Sequence, residues 1–394
     1  MDIPAKKLIP SLLFLYLVLF PFGQLLRLST NLFGSVVRIH PTDLVVLAMA
    51  AVFLTGQFVK PRLWRHLKNF LYALAFSLVF SLTIFNLGEI LIGILYFARV
   101  VGYCFFFLAV WNFVKSEKER RILFNSLMGV ALAISVFGFF QYFVYPDVRA
   151  LYTWGWDDHL LRLVGTFLDP SFTGIFLVFG FLASLAAYLK TKKKYLLLVL
   201  GVFLVSIALT YSRAGYLALF SGAAALLLIK KNLNKILAIL AIFLFLLALI
   251  PRVGSEGVRL LRTRSIFERI ESYSDGLALT AKSPVFGIGY NNLCIAKGKF
   301  LGKFVEYDSH SCSGVESGAL LILATSGLAG ILIFGYLGIQ IFRKTERNLY
   351  GVTFLSSSFA LLVHSLFVNS LLYPWVMGYL GILLALSLKE KSSP

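Results

Sequence analysis

Apolar runs of 16–27 residues recur from one end of this chain to the other, separated by short polar connections. Each is long enough to cross the roughly 30 Å hydrocarbon core of a bilayer as a helix. They fall near residues 8–27, 42–59, 70–87, 90–114, 122–145, 171–189, 195–211, 214–229, 234–251, 316–342, 350–370 and 372–388. The expected architecture is therefore an all-α polytopic membrane protein of about twelve transmembrane helices. The short connections inside 70–114 and 350–388 leave eleven or thirteen open. The first run is too long for the core of a signal peptide and lacks a small-residue cleavage site, so it reads as span one.

Two stretches break the pattern. One is the segment from Pro146 to Pro170; the other, from about Arg252 to Val315, is much larger. Within it, Ser265–Lys282 places Ile266, Ile270, Tyr273, Leu277 and Ala281 near helical spacing, which predicts an amphipathic helix suited to an interface. Ser283-Pro284 ends that helix, because proline disfavours helical backbone in the residue before it. Gly287-Ile288-Gly289 then permits a tight turn or a close approach to a ligand. An ordinary structured loop packed on the bundle is the plainer alternative. No soluble second domain and no repeat of 20 to 50 residues is visible, so residues 1–394 read as one membrane domain.

Composition agrees with this class: 59% of residues are hydrophobic, 14% are charged, and the mean hydropathy is +0.85. The net charge of +19 acts mainly as a topology signal. With both termini inside, 22 Lys/Arg fall on the cytoplasmic side and 14 outside, while Arg99 lies within a span. The large loop is then external, yet it keeps nine Lys/Arg against six Asp/Glu. External arginines beside a membrane suit a phosphate-bearing lipid, since guanidinium pairs bidentately with phosphate and stays charged. Nucleic acid is not an expected partner, because no basic, aromatic soluble domain is present to bind it. Cys294 and Cys312 share the loop, where an oxidising compartment permits either a disulfide or two free thiols. Arg99 either contacts substrate from within the bundle or pairs to hold spans together. His40 and His159 have no recognisable partners, His364 and Asn369 suit helix–helix hydrogen bonds, and Tyr152, Trp154, Trp156, Tyr373 and Trp375 read as an interfacial belt. External Asp, Glu and His show no ligand spacing along the chain.

Four segments, taken together, resemble the O-antigen ligase and polymerase superfamily over roughly residues 160–345. They are Arg162-Leu-Val-Gly-Thr-Phe-Leu-Asp-Pro-Ser-Phe-Thr-Gly174; Leu209-Thr-Tyr-Ser-Arg213-Ala-Gly215; Arg269 with Tyr273 and then Pro284-Val-Phe-Gly287-Ile-Gly289; and Glu316-Ser-Gly-Ala-Leu with Ser-Gly327-Leu-Ala-Gly330. The resemblance implies a GT-C-like glycosyltransferase of a bacterial inner membrane. Such an enzyme moves a glycan from an undecaprenyl-diphosphate carrier to an acceptor glycan or glycolipid, without a metal or other cofactor. It implies Arg213 and Arg269 as diphosphate clamps. Arg162 either joins them or pairs with Asp157, Asp158 or Asp169. Ligases of the family carry a His-Asn pair where this chain has Glu316-Ser317, so either His310 reaches the same place or Glu316 replaces it as catalytic base. A transporter or flippase of lipid-linked glycans is the alternative of a different class, but no half-to-half repeat supports it.

Overall fold

The computed structural model describes residues 3–32, 35–232, 234–250, 256–260, 263–303 and 314–388. In chain order the helices are α1 (Ile3–Leu19), α2 (Pro41–Thr55), α3 (Trp64–Phe80), α4 (Leu87–Phe113), α5 (Glu117–Val144), α6 (Pro170–Thr191), α7 (Tyr195–Leu209), α8 (Arg213–Ile229), α9 (Asn234–Leu249), α10 (Arg264–Lys282), α11 (Leu293–Leu301), α12 (Gly318–Lys344), α13 (Leu349–His364) and α14 (Pro374–Ser387). Each of the twelve apolar runs contains a helix. Five described segments are long and apolar enough to cross a membrane: Leu8–Leu25, Leu87–Phe113, Glu117–Val144, Pro170–Thr191 and Gly318–Lys344. The third helix begins six residues earlier than the apolar pattern predicts, because the basic turn at Trp64–Lys68 is already helical. An unexpected feature is a small antiparallel hairpin, β1 (Leu28–Leu32) with β2 (Ser35–Ile39).

Helix α6 is apolar on every side, and a helix of that kind must be buried. It is: Phe176, Phe179 and Leu182 have no exposed surface, and α5, α7, α8 and α13 pack around it. Its first turn is held by Asp169, whose carboxylate accepts from the backbone N–H of Ser171 (2.7 Å) and Phe172 (2.8 Å). Ser212 caps α8 through the Gly215 N–H at 3.2 Å, and Ser317 caps α12. These three caps fix where the polar chemistry begins.

Helix α12 is broken at Gly327, whose φ of 65° is left-handed. The Pro284–Gly289 turn fills the break. Ile288 and Gly289 donate to the carbonyls of Ala324 and Thr325, both at 3.0 Å; Leu328 and Ala329 donate back to Pro284 (2.9 Å) and Val285 (3.1 Å). A Cβ on Gly287 would stand 2.3 Å from the Thr325 carbonyl carbon, and one on Gly327 would stand 2.3 Å from that of Val285. Both glycines are therefore required by backbone meeting backbone. The turn approaches another part of the chain. It also re-satisfies the polar groups that a broken helix would leave bare.

A second, small core packs Leu279, Ile288, Leu293, Ala296 and Val315 of the large loop against Phe85, Ile90 and the start of α12. Cys294 is disulfide-bonded, which excludes the two-thiol reading; Cys312 and His310 lie outside the described residues.

Candidate functional site

The predicted amphipathic helix is α10, and it has two useful faces. Ile266, Phe267, Ile270 and Leu277 are exposed, an apolar stripe on the surface of the molecule. A second stripe, Ser265, Arg269, Ser272 and Gly276, follows the spacing of four, three and four residues that keeps side chains on one helical face. It meets the ends of other helices. Ser265 Oγ accepts from Arg213 Nη2 at 2.6 Å. Arg269 Nε donates to Glu316 Oε2 at 3.2 Å. Ser272 Oγ accepts from the Glu316 backbone N–H at 2.9 Å, and Gly276 leaves room for Val315.

One helix thus joins Arg213 at the start of α8 to Glu316 just before α12. Arg269 is close enough to Arg213 to act on it electrostatically. The N-termini of α6 and α8 meet through Ser171 Oγ and Ser212 Oγ, 3.2 Å apart. The start of α12 is tied to the end of α13 by Gly318 N–H donating to Ser365 O at 2.7 Å. Tyr273 adds a bond from its hydroxyl to Leu366 O. The two arginines thus lie beside the capped starts of α6, α8 and α12, where each helix carries a partial positive charge.

Glu316 is the acid of this group. Its side chain is 49% exposed, yet desolvation by the protein around it raises its pKa, with Asp157 and Glu268 adding to the effect and Arg269 opposing it. A carboxylate raised in this way is a stronger proton acceptor than an ordinary one.

Arg162 occupies a different place. It is buried, and its Nε donates to Thr210 O at 3.0 Å and its Nη2 to Tyr211 O at 3.3 Å. These carbonyls belong to the turn just before Ser212 and Arg213, so Arg162 positions the arginine that follows. Its Nη1 lies 3.4 Å from His159 Nδ1, which corrects the view of His159 as isolated. His40 is not isolated either: it caps α2 with Asp43 and stacks edge-on against Trp375, centroids 4.5 Å apart. His364 bonds to Ser370 at 2.9 Å, and its ring also has the Ser171 backbone at the start of α6 as a hydrogen-bond partner, a contact between helices. Trp375 is a core residue packed on Phe167, Tyr373 is half-buried against Phe172, and Tyr152 and Trp154 are the exposed aromatics of that group.

The fold also assembles what spacing along the chain did not reveal. Ligand atoms of Asp157, His159 and Asp169 lie within 4.8 Å of one another. Burial, together with the charge on Asp157, pushes the Asp169 carboxyl up to about 6, while Arg162 and the cap bonds pull the other way. Arg162 is thus a cation already beside this group.

Arg99 pairs with Asp43 Oδ2 at 2.8 Å and donates to Arg38 O at the same distance. Of the two roles open to it, pairing across helices is visible. Three lysines of the large loop also hold structure: Lys303 bonds Glu271 and Asp275, Lys297 bonds Gly314 O, and Lys299 bonds Ile84 O. The sequence reading missed Ser265, Ser272, Ser171 and Ser212; the seven-residue spacing of Ser265 and Ser272, with Arg269 between them, was the available signal.

Residues 198–335 match the family model described as O-antigen ligase. That interval contains Arg213, all of α10, the Pro284–Gly289 turn, Glu316 and the break at Gly327. No curated protein matches the chain.

Proposed function

We propose that this chain, a member of the O-antigen ligase and polymerase superfamily through residues 198–335, transfers a glycan from undecaprenyl diphosphate to an acceptor glycan or glycolipid. The reading includes a GT-C-like bundle of about twelve spans in a bacterial inner membrane. Both termini face the cytoplasm, and residues 252–315 form the external loop of a core at 160–345. The observation that carries it is the meeting of Arg213, Arg269 and Glu316 at the N-termini of α8 and α12.

An acceptor hydroxyl attacks the anomeric carbon of the donor sugar. A new C–O bond forms as the bond from that carbon to the diphosphate oxygen breaks, and the configuration inverts. Glu316 takes the hydroxyl proton; His310 is the other candidate for that role, on sequence grounds. Arg213 and Arg269 receive the charge that develops on the leaving diphosphate, and preorganised donors are most effective where charge appears. The Arg269–Glu316 contact holds both partners in place before substrate arrives. Arg162 keeps the turn at Thr210–Tyr211 that presents Arg213.

The test is a gel of surface glycans and lipid-linked intermediates from cells lacking the gene, beside complemented cells. A long-chain ladder that collapses to one repeat unit on its acceptor identifies a polymerase. Full-length glycan stranded on the carrier identifies a ligase. An unchanged pattern defeats the reading.

A further inference from the structure

A second polar cavity, of about 110 Å³, opens between α4, β2 and the turn after Gly289. Arg38, Glu89, Tyr96, Arg99, Asn291 and Asn292 supply its polar and aromatic lining. A water needs roughly 10–15 Å³ of such space, so the cavity holds on the order of eight waters, closer to one sugar ring than to a lipid chain.

Its walls are fixed. A Cβ on Gly93 would come within 2.5 Å of both Asn292 Oδ1 and Tyr290 O, so only glycine lets α4 lie this close to the turn. Asn292 Nδ2 donates to Ser81 Oγ at 3.1 Å. Asn291 adopts a left-handed backbone, φ 57°, which asparagine tolerates better than most residues. Cys294, also on the wall, is tied down by its disulfide. The Arg99 guanidinium is held by Asp43 and Arg38 O and lies 5.3 Å from the centre of the Tyr96 ring.

The chemistry is that of a neutral, hydroxyl-rich ligand. Arg38 and Arg99 are matched by Asp43 and Glu89, so the cavity lacks the cationic excess that the Arg213–Arg269 surface offers an anion. Fixed amides, a carboxylate and a guanidinium can bond several hydroxyls at once, while the partly exposed Tyr96 offers an apolar ring face. The cavity also reaches the segment that leads into the first site. Gly314 lines it, two residues before Glu316, and Lys297 Nζ holds the Gly314 carbonyl at 2.9 Å.

We infer that this cavity is a glycan subsite, separate from the diphosphate-binding arginines, that seats one neutral sugar unit beside Glu316. Calling that unit the acceptor rests on the transferase reading; the binding of sugar does not.

The experiment is saturation-transfer NMR on the full chain in detergent. The probe is the phosphate-free repeat-unit oligosaccharide that mild acid releases from the host's lipid-linked pool. Saturation transfer is expected for the natural chain and for Arg213→Ala, and should fall at least fivefold in Asn291→Asp, Tyr96→Ala and Ile92→Trp, the last filling the cavity from another wall. Any of these that fails to fold is replaced by the other two. Undiminished transfer in the folded cavity variants overturns the inference, as does loss in Arg213→Ala with retention in Asn291→Asp. Should binding follow the cavity while Arg213→Ala cells keep normal surface glycan, the transferase reading fails and the subsite stands.

Discussion

Two arginine–carboxylate pairs in this molecule have opposite characters. Arg99 and Asp43 meet at 2.8 Å with side chains only 18% and 8% exposed. Arg269 and Glu316 meet at 3.2 Å with 21% and 49% exposed. The first pair lies between two helices, and Arg99 also spends a donor on a backbone carbonyl. The second lies at helix N-termini beside another arginine, and half of its acid faces outward. A closed pair holds helices together because breaking it strands a charge in a poor solvent. An open pair can exchange its partner for a substrate at small cost. Proximity of charge alone does not mark a site; the remaining access of the charges does.

Removing one partner separates the pairs most sharply. Asp43→Ala strands Arg99 and should cost about 3–5 kcal/mol, seen as lost membrane accumulation or a collapsed thermal midpoint in detergent. Glu316→Ala should cost no more than about 1 kcal/mol and leave accumulation normal. Similar losses of stability from both variants would erase the distinction.

The interlock beneath the open pair comes next. Gly327→Ala places a Cβ against the Val285 carbonyl in a left-handed backbone and should cost about 1–3 kcal/mol. Limited proteolysis would report it as earlier cleavage around residues 283–289. Protection equal to the natural chain would mean that the turn is not what seats α10 on α12.

A smaller effect is expected at Asp169. Its carboxyl is raised to about 6 in the folded chain. The unfolded chain therefore releases this proton first as pH rises, and stability declines between about pH 4 and 6. An asparagine side chain in its place would still cap α6 but without the charge. Asp169→Asn should thus match the natural chain below pH 4 and melt a few degrees higher above pH 6. A constant difference across pH would show that the charge is not the cause.

Much of the frame was readable in advance. Apolar length located every long helix, and the apolar spacing of residues 266–281 located α10 to within one residue of its start. Arg213, Arg269 and Glu316 were chosen from motifs and are neighbours in the fold. What was not readable depends on contacts between residues far apart in sequence. Gly287 and Gly327 answer each other across forty positions, and nothing in either segment names the other. Asp157, His159 and Asp169 gather only because the chain folds back along Arg162. The hairpin at Leu28–Ile39 is too short for its alternation to stand out. Trp375 looks like a belt residue by position but is buried by Phe167 and His40.

The most direct test of the central claim is a transfer assay with the purified full chain and a lipid-diphosphate-linked glycan, read against pH. Arg269→Lys and Arg213→Lys should each lower turnover by about 10²- to 10³-fold, as expected on removing a preorganised donor, with melting unchanged. In the natural chain, turnover should rise with pH through the elevated pKa of Glu316 and then level, because only the ionised carboxylate accepts a proton. Glu316→Gln should be slow with that rise abolished. Natural turnover in both arginine variants, with the same pH profile in Glu316→Gln, would contradict the account.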